Sequence, residues 1–284
     1  ERPMSENRTD YLLDINSVLG PELVRKLPRF AINFLKRRIH QDEINDCIMK
    51  AEHYKGAEFF DEALKYVNIT FRIRGEENLD PEKRYLFVCN HPIGGPEALI
   101  IGSVLKRIYG DGFMVPVNHL IANLKPLREF FVPVKVFSSH QSRDIGEQIA
   151  AMFRSDKQVL VFPAGLCARK IKGKVTEMPW KKMFVTQARK YERDVVPMHI
   201  SGFNSRRFFF FSKLSMLLKL KFNMGMLFLV DELFNKKGQE FVITIGTPIE
   251  YTTFDKSKTD KEWAAEIKDH VEMLSKDNGC PSNM

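Results

Sequence analysis

The residues with the greatest capacity for chemistry stand in one short run, Asn90-His91-Pro92-Ile93-Gly94-Gly95-Pro96-Glu97. Histidine has an ordinary pKa of about 6.5, so near neutrality it can take a proton from an attacking nucleophile. It needs a partner that fixes its tautomer and stabilises the imidazolium, and Glu97 is the nearest carboxylate. Gly94 and Gly95 allow close backbone approach and are candidates for an oxyanion hole, or else form a plain tight turn. Taken alone, the run also fits a hydrogen-bonded turn in which Glu97 is merely a helix-start acid after Pro96.

A second run, from Val159 through Phe162-Pro163-Ala164-Gly165-Leu166-Cys167-Ala168 to Arg169, repeats the design: an apolar strand, a small-residue turn, then a basic residue. Gly165 and Arg169 are the candidates for holding the acyl acceptor, since a guanidinium fork pairs with a carboxylate or phosphate. Cys167 is an alternative nucleophile, because a Cys–His couple can carry an acyl group, but it ranks below direct transfer. Cys47, Cys89, Cys167 and Cys280 form no C-x-x-C pair, which points away from a disulfide framework or a zinc site. His119, His140 and His199 lack ligand spacing and read as structural.

These loops need strands and helices to hold them. Apolar runs at Ile69–Ile73, Arg84–Cys89, Phe113–Val117, Phe131–Val136, Gln158–Phe162, Asp194–Ile200 and Phe241–Ile245 read as strands. Helical spacing covers Glu97–Tyr109, Ile145–Phe153, Trp180–Tyr191 and Lys261–Lys276. Strands alternating with helices predict an α/β domain over 68–284, with ligands at the carboxyl ends of strands. Residues 1–67 read as a helical amino-terminal region with breaks at Gly20-Pro21, Pro28 and Gly56. Within it, Arg25-Lys26, Arg29 and Lys36-Arg37-Arg38 interleave with Phe30, Phe34 and Leu35, either as a membrane-facing surface or as a solvated face. Arg206-Arg207 followed by Phe208–Phe211 poses the same choice between interfacial anchors and core. Lys170, Lys172 and Lys174 read as a solvated face.

The chain has 284 residues, 44% of them hydrophobic, enough for a sizeable core. No segment reaches the roughly 20 continuous apolar residues that span a bilayer. The net charge of +8 favours acidic partners without choosing among them. Nucleic acid is disfavoured, because no zinc finger, RNA-recognition motif or helix-turn-helix pattern accompanies the charge. The polar start of the chain carries no secretory leader, and the scattered cysteines suit a reducing cytoplasm.

In order and spacing, Asn90-His91 with a following acid, Phe131–Val136, Phe162-Pro163-Ala164-Gly165-Leu166 and Val195–His199 resemble the motif blocks of the glycerolipid (lysophosphatidic acid-type) acyltransferase superfamily. The family pattern has an aspartate where Pro96 stands, and a glutamate where Ala164 stands. These departures are similar to the hemolysin-like branch, which includes bacterial N-acyltransferases of glycine- and ornithine-lipid synthesis. Trp180–Phe184, Ser201–Ser205 and Ile245–Pro248 extend the likeness over most of the chain.

The resemblance implies a mixed central sheet flanked by helices. It also implies an acyl donor on acyl carrier protein or coenzyme A, no bound cofactor or metal, and a peripheral site on the inner face of the cytoplasmic membrane. The function expected from it is acyl transfer to the amine of a small amino acid, with glycine ahead of ornithine, His91 as base and Glu97 orienting it. The alternatives are a lysophospholipid (1-acylglycerol-3-phosphate) O-acyltransferase and, outside enzymes, a membrane-binding lytic protein.

Overall fold

The computed structural model describes residues 14–16, 21–50, 53–54, 56–118, 127–134, 143–217 and 224–275. In chain order the elements are α1 (Pro21–Lys26), α2 (Arg29–Arg38), α3 (Gln41–Lys50), α4 (Glu58–Tyr66), β1 (Thr70–Arg74), β2 (Tyr85–Cys89) and α5 (Gly95–Tyr109). Next come β3 (Phe113–Asn118), β4 (Phe131–Val134), α6 (Arg143–Arg154), β5 (Gln158–Val161), β6 (Arg169–Ile171), β7 (Lys174–Thr176) and α7 (Met183–Tyr191). The last are β8 (Asp194–Ile200), α8 (Arg206–Leu217), α9 (Met224–Asn235), β9 (Glu240–Ile245) and α10 (Asp260–Leu274).

Seven strands form one sheet in the order β1-β9-β8-β2-β5-β3-β4, parallel throughout except between β8 and β9. The expected α/β class with a mixed central sheet is the observed one. β2 and β5 are buried along their whole length, as unbroken apolar runs in the middle of a parallel sheet should be. Alternate residues of β2 serve two cores. Phe87 and Cys89 pack with α4 and α5, while Leu86 and Val88 face α7 and α10. The helices preceding β1 share the first core, since the Phe60 ring lies 5.7 Å from Phe113 and 5.5 Å from Phe130.

Pairing of Val88 with Val161 brings β2 and β5 to an end side by side, so the two loops singled out above leave the sheet at the same edge. A side chain then extends the ladder between β2 and β8. Asn90 Nδ2 donates to the Ile200 carbonyl (3.0 Å) and Asn90 Oδ1 accepts from the Ile200 N–H (2.8 Å). Beyond β5, the expected solvated lysines sit on a hairpin, β6–β7, turned by Lys172-Gly173, with Lys170, Lys172 and Lys174 exposed.

Of the two basic aromatic segments, α2 buries no residue, and Phe30 is 76% exposed. In α8 the phenylalanines divide: Phe208 and Phe209 are core, while Phe210 is exposed. Among the described residues no helix is long and apolar enough to cross a membrane. Residues 135 and 136 of the fourth expected strand, together with His119, His140 and Cys280, lie outside the described residues.

Candidate active site

His91 and Glu97 meet as the spacing predicts. The helix α5 begins at Gly95 and places Glu97 in its first turn, pointing back over the loop it came from. Gly94 adopts φ +83°, and a Cβ there would lie 2.7 Å from Leu229 Cδ2 and 2.9 Å from Cys167 Sγ; only glycine fits. This tight entry lets Glu97, fully buried, accept hydrogen bonds from the Ile93 N–H and the Gly94 N–H (2.9 Å) and from His91 Nδ1. One carboxylate thus caps the helix, closes the loop and holds the imidazole.

The bond to Glu97 decides the tautomer. A carboxylate accepts, so Nδ1 carries a proton and Nε2 is left for chemistry. The ring stacks on Phe162 from the second loop, with centroids 4.6 Å apart and planes at 30°. Its Nε2 faces Cys167 Sγ at 3.4 Å. The two loops are also joined through backbone, because the Ala168 N–H donates to the His91 carbonyl (2.9 Å). Burial works against the imidazolium, but the Cys167 sulfur and the Glu97 carboxylate, one on each ring nitrogen, outweigh it and lift the His91 pKa well above its usual value.

The Gly94 N–H, expected as an oxyanion donor, is engaged by Glu97, which leaves Gly95 as the candidate of that pair. Gly165 sits at φ +69° in a turn closed by its own N–H on the Phe162 carbonyl (2.9 Å), so local geometry already accounts for a glycine there. Arg169 lies two residues beyond Cys167. Its Nη1 donates to Ser212 Oγ (3.1 Å), its guanidinium covers the Phe208 ring at 5.4 Å, and burial lowers its pKa.

Two contributors escape sequence reasoning. Glu177, between β7 and α7, accepts the His91 backbone N–H through Oε1 (2.7 Å). Burial pushes its carboxyl up to about 7, against the opposing pull of that N–H, Trp180, Lys268 and His91. Asn204 donates from Nδ2 to the Pro92 carbonyl (3.2 Å). Each contact spans more than 80 residues of chain, and no spacing rule signals it. His199 is held neutral by burial, its pKa lowered to about 4. Among the described residues no group of three His, Cys, Asp or Glu gathers to hold a metal.

A catalytic acid–base pair with a thiol at the edge of a parallel sheet suits acyl transfer, and known proteins agree. A lyso-glycine lipid O-acyltransferase of Bacteroides thetaiotaomicron is 37% identical over 267 residues, covering 93% of this chain and 98% of the relative. A second protein of that name, from Phocaeicola vulgatus, is 37% identical over 267 residues, covering 93% of this chain and 95% of its own. The 1-acyl-sn-glycerophosphate (LPA) acyltransferase PlsC of Thermotoga maritima aligns with a TM-score of 0.47 at 16% identity, over 87% of this chain and 89% of that one. The acyltransferase family profile matches residues 15–278, and the chain therefore belongs to the acyltransferase family and is an acyltransferase.

Proposed function

We propose that the chain moves a fatty acyl group from a thioester, on acyl carrier protein or coenzyme A, to a hydroxyl of a singly acylated glycine lipid. The observation that carries this reading is the buried Glu97–His91 couple, whose free nitrogen is available to take a proton from an attacking group. The relatives' name moves the acceptor from the amine expected from sequence to a hydroxyl. Glycine has no hydroxyl, so the acceptor oxygen belongs to the chain already attached, and the glycine carboxylate stays free.

His91 Nε2 removes the hydroxyl proton as the oxygen adds to the thioester carbonyl, while Glu97 stabilises the imidazolium. Gly95 N–H, at the start of α5, is the candidate donor to the developing oxyanion. Arg169 is the candidate partner for the glycine carboxylate, through a planar fork that a lysine does not offer. The net charge of +8 suits both acidic carriers, and the exposed Phe30 and Phe34 of α2 beside Lys36-Arg37-Arg38 suit contact with an anionic membrane.

Incubating the purified chain with an acyl thioester and, separately, a singly acylated glycine lipid, free glycine or lysophosphatidate tests the reading. Doubly acylated glycine lipid is the expected product. Acylation of free glycine or of lysophosphatidate, with none of the glycine lipid, overturns it.

A further inference from the structure

We propose that Cys167 is the nucleophile that first receives the acyl group, giving an acyl-Cys167 thioester that the acceptor hydroxyl then resolves. The inference rests on the acyl-transfer reading above and adds a covalent stage to it. An imidazole has two nitrogens, both in its plane. In this site Glu97 holds Nδ1, and Cys167 Sγ lies 3.4 Å from Nε2. An acceptor hydroxyl approaching Nε2 has to enter where the sulfur stands. The order acid–imidazole–thiol is that of an activated cysteine, with the base oriented by a third group.

Three further features suit the role. The raised affinity of His91 for a proton, to which both the sulfur and Glu97 contribute, favours a thiolate–imidazolium pair over a neutral ring waiting for a hydroxyl. The absence of a side chain on Gly94 is what lets the sulfur approach the loop, since a Cβ would come within 2.9 Å of it. Cys167 also packs with Phe208 and Phe209, with Val175 and Leu229 beside them, an apolar lining matched to the alkyl chain that the sulfur would carry. The His91 side chain remains 19% exposed and marks the side from which the donor carbonyl arrives.

In the first half-reaction the Cys167 thiolate adds to the donor carbonyl. The bond from Sγ to carbon forms, the bond from carbon to the carrier sulfur breaks, and the carrier thiol leaves with the proton from His91 Nε2. One thioester replaces another, so little free energy is lost. In the second, neutral His91 takes the proton of the acceptor hydroxyl, whose oxygen adds to the acyl-cysteine carbonyl. The carbon–oxygen bond forms, the carbon–Sγ bond breaks, and the thiolate–imidazolium pair is restored. No oxidant, reductant or further reactant is required.

The test uses the donor thioester that supports turnover, hexadecanoyl-coenzyme A or hexadecanoyl-acyl carrier protein, without acceptor. Intact-mass measurement should show one added acyl group, mapped to Cys167 and released by neutral hydroxylamine. Labelled free carrier should exchange into the thioester pool, which direct transfer does not allow. Cys167→Ala should abolish adduct and exchange and lower turnover by about 100-fold or more. Cys167→Ser, close to isosteric, should give at most a hydroxylamine-resistant ester, and melting temperatures confirm that both variants fold.

Turnover within about 3-fold of the parent in Cys167→Ala, or no adduct and no exchange in a parent protein that does turn over, sinks the covalent stage and leaves the proposed function standing. Adduct and exchange without transfer to any glycine lipid sinks the acceptor assignment instead.

Discussion

Both ends of the central strands bury charge, and they use it in opposite ways. At the amino end, Arg193, with no exposed surface, donates to the carbonyls of Phe153 (2.9 Å), Tyr85 (3.2 Å), Lys157 (2.9 Å) and Ser155. These carbonyls belong to the last turn of α6, the loop that follows it and the first residue of β2, so one cation ties a helix end, with its negative dipole, to the sheet. At the carboxyl end, Glu97 is as deeply buried, but its neighbours include His91, and the neighbours of His91 include Cys167. Backbone carbonyls do not exchange protons; imidazole and thiol do. Burial therefore does not distinguish the functional end from the structural one. The partners' ability to titrate does.

The largest way to break the contrast is His91→Ala. It should lower turnover by about 1000-fold or more, equivalent to about 4 kcal/mol of barrier, with folding retained, as steady-state assay and thermal melting would show. A variant that kept turnover within 10-fold of the parent would remove the carboxyl end from the chemistry altogether.

Next in size is Arg193→Met, which fills similar volume and strips four carbonyls of their donor. The expected cost is about 3 kcal/mol of stability, or roughly 6–12 °C in melting temperature for a chain of this length. Turnover per folded molecule should stay within a few-fold, measured below the melting transition. A loss of activity at unchanged stability would mean that the two ends are coupled and the contrast is false.

What the sequence revealed follows the same division. β8 was legible to the residue, and β2 and β5 to within one, because central parallel strands are apolar runs cut off by turn residues. The His91–Glu97 couple was legible because loop and helix start are contiguous in sequence. The β6–β7 hairpin was missed behind its lysines, although Lys172-Gly173 between two short runs is a turn signal. The helices α8 and α9 were missed because their long apolar runs lack a clean helical period. Arg193, Glu177 and Asn204 were out of reach for a different reason. Their partners are backbone groups that any residue supplies, so only the three-dimensional pairing reveals them.

The smallest effect sharpens the contrast through pH. Glu177, lifted by burial to about 7 from the ordinary 4.5, binds its proton more tightly in the folded chain. Between these values the folded state holds more protons than the unfolded, so this group makes stability fall as pH rises through the window. His199 does the reverse. Burial lowers it to about 4 from 6.5, so stability falls as pH drops from 6.5 towards 4. Both lie toward the carboxyl ends of strands, and their slopes oppose each other between about 4.5 and 6.5. Arg193, at about 10, contributes nothing there. The Glu177→Gln chain should lose the falling component, so that its melting temperature climbs with pH over that window by the equivalent of about 2 kcal/mol, while His199→Gln should tilt the curve the other way. Because glutamine still offers an oxygen to the His91 N–H, turnover of Glu177→Gln near pH 7 should remain within a few-fold of the parent. Identical pH–stability curves for parent and both variants would show that the carboxyl end does not titrate as its geometry requires.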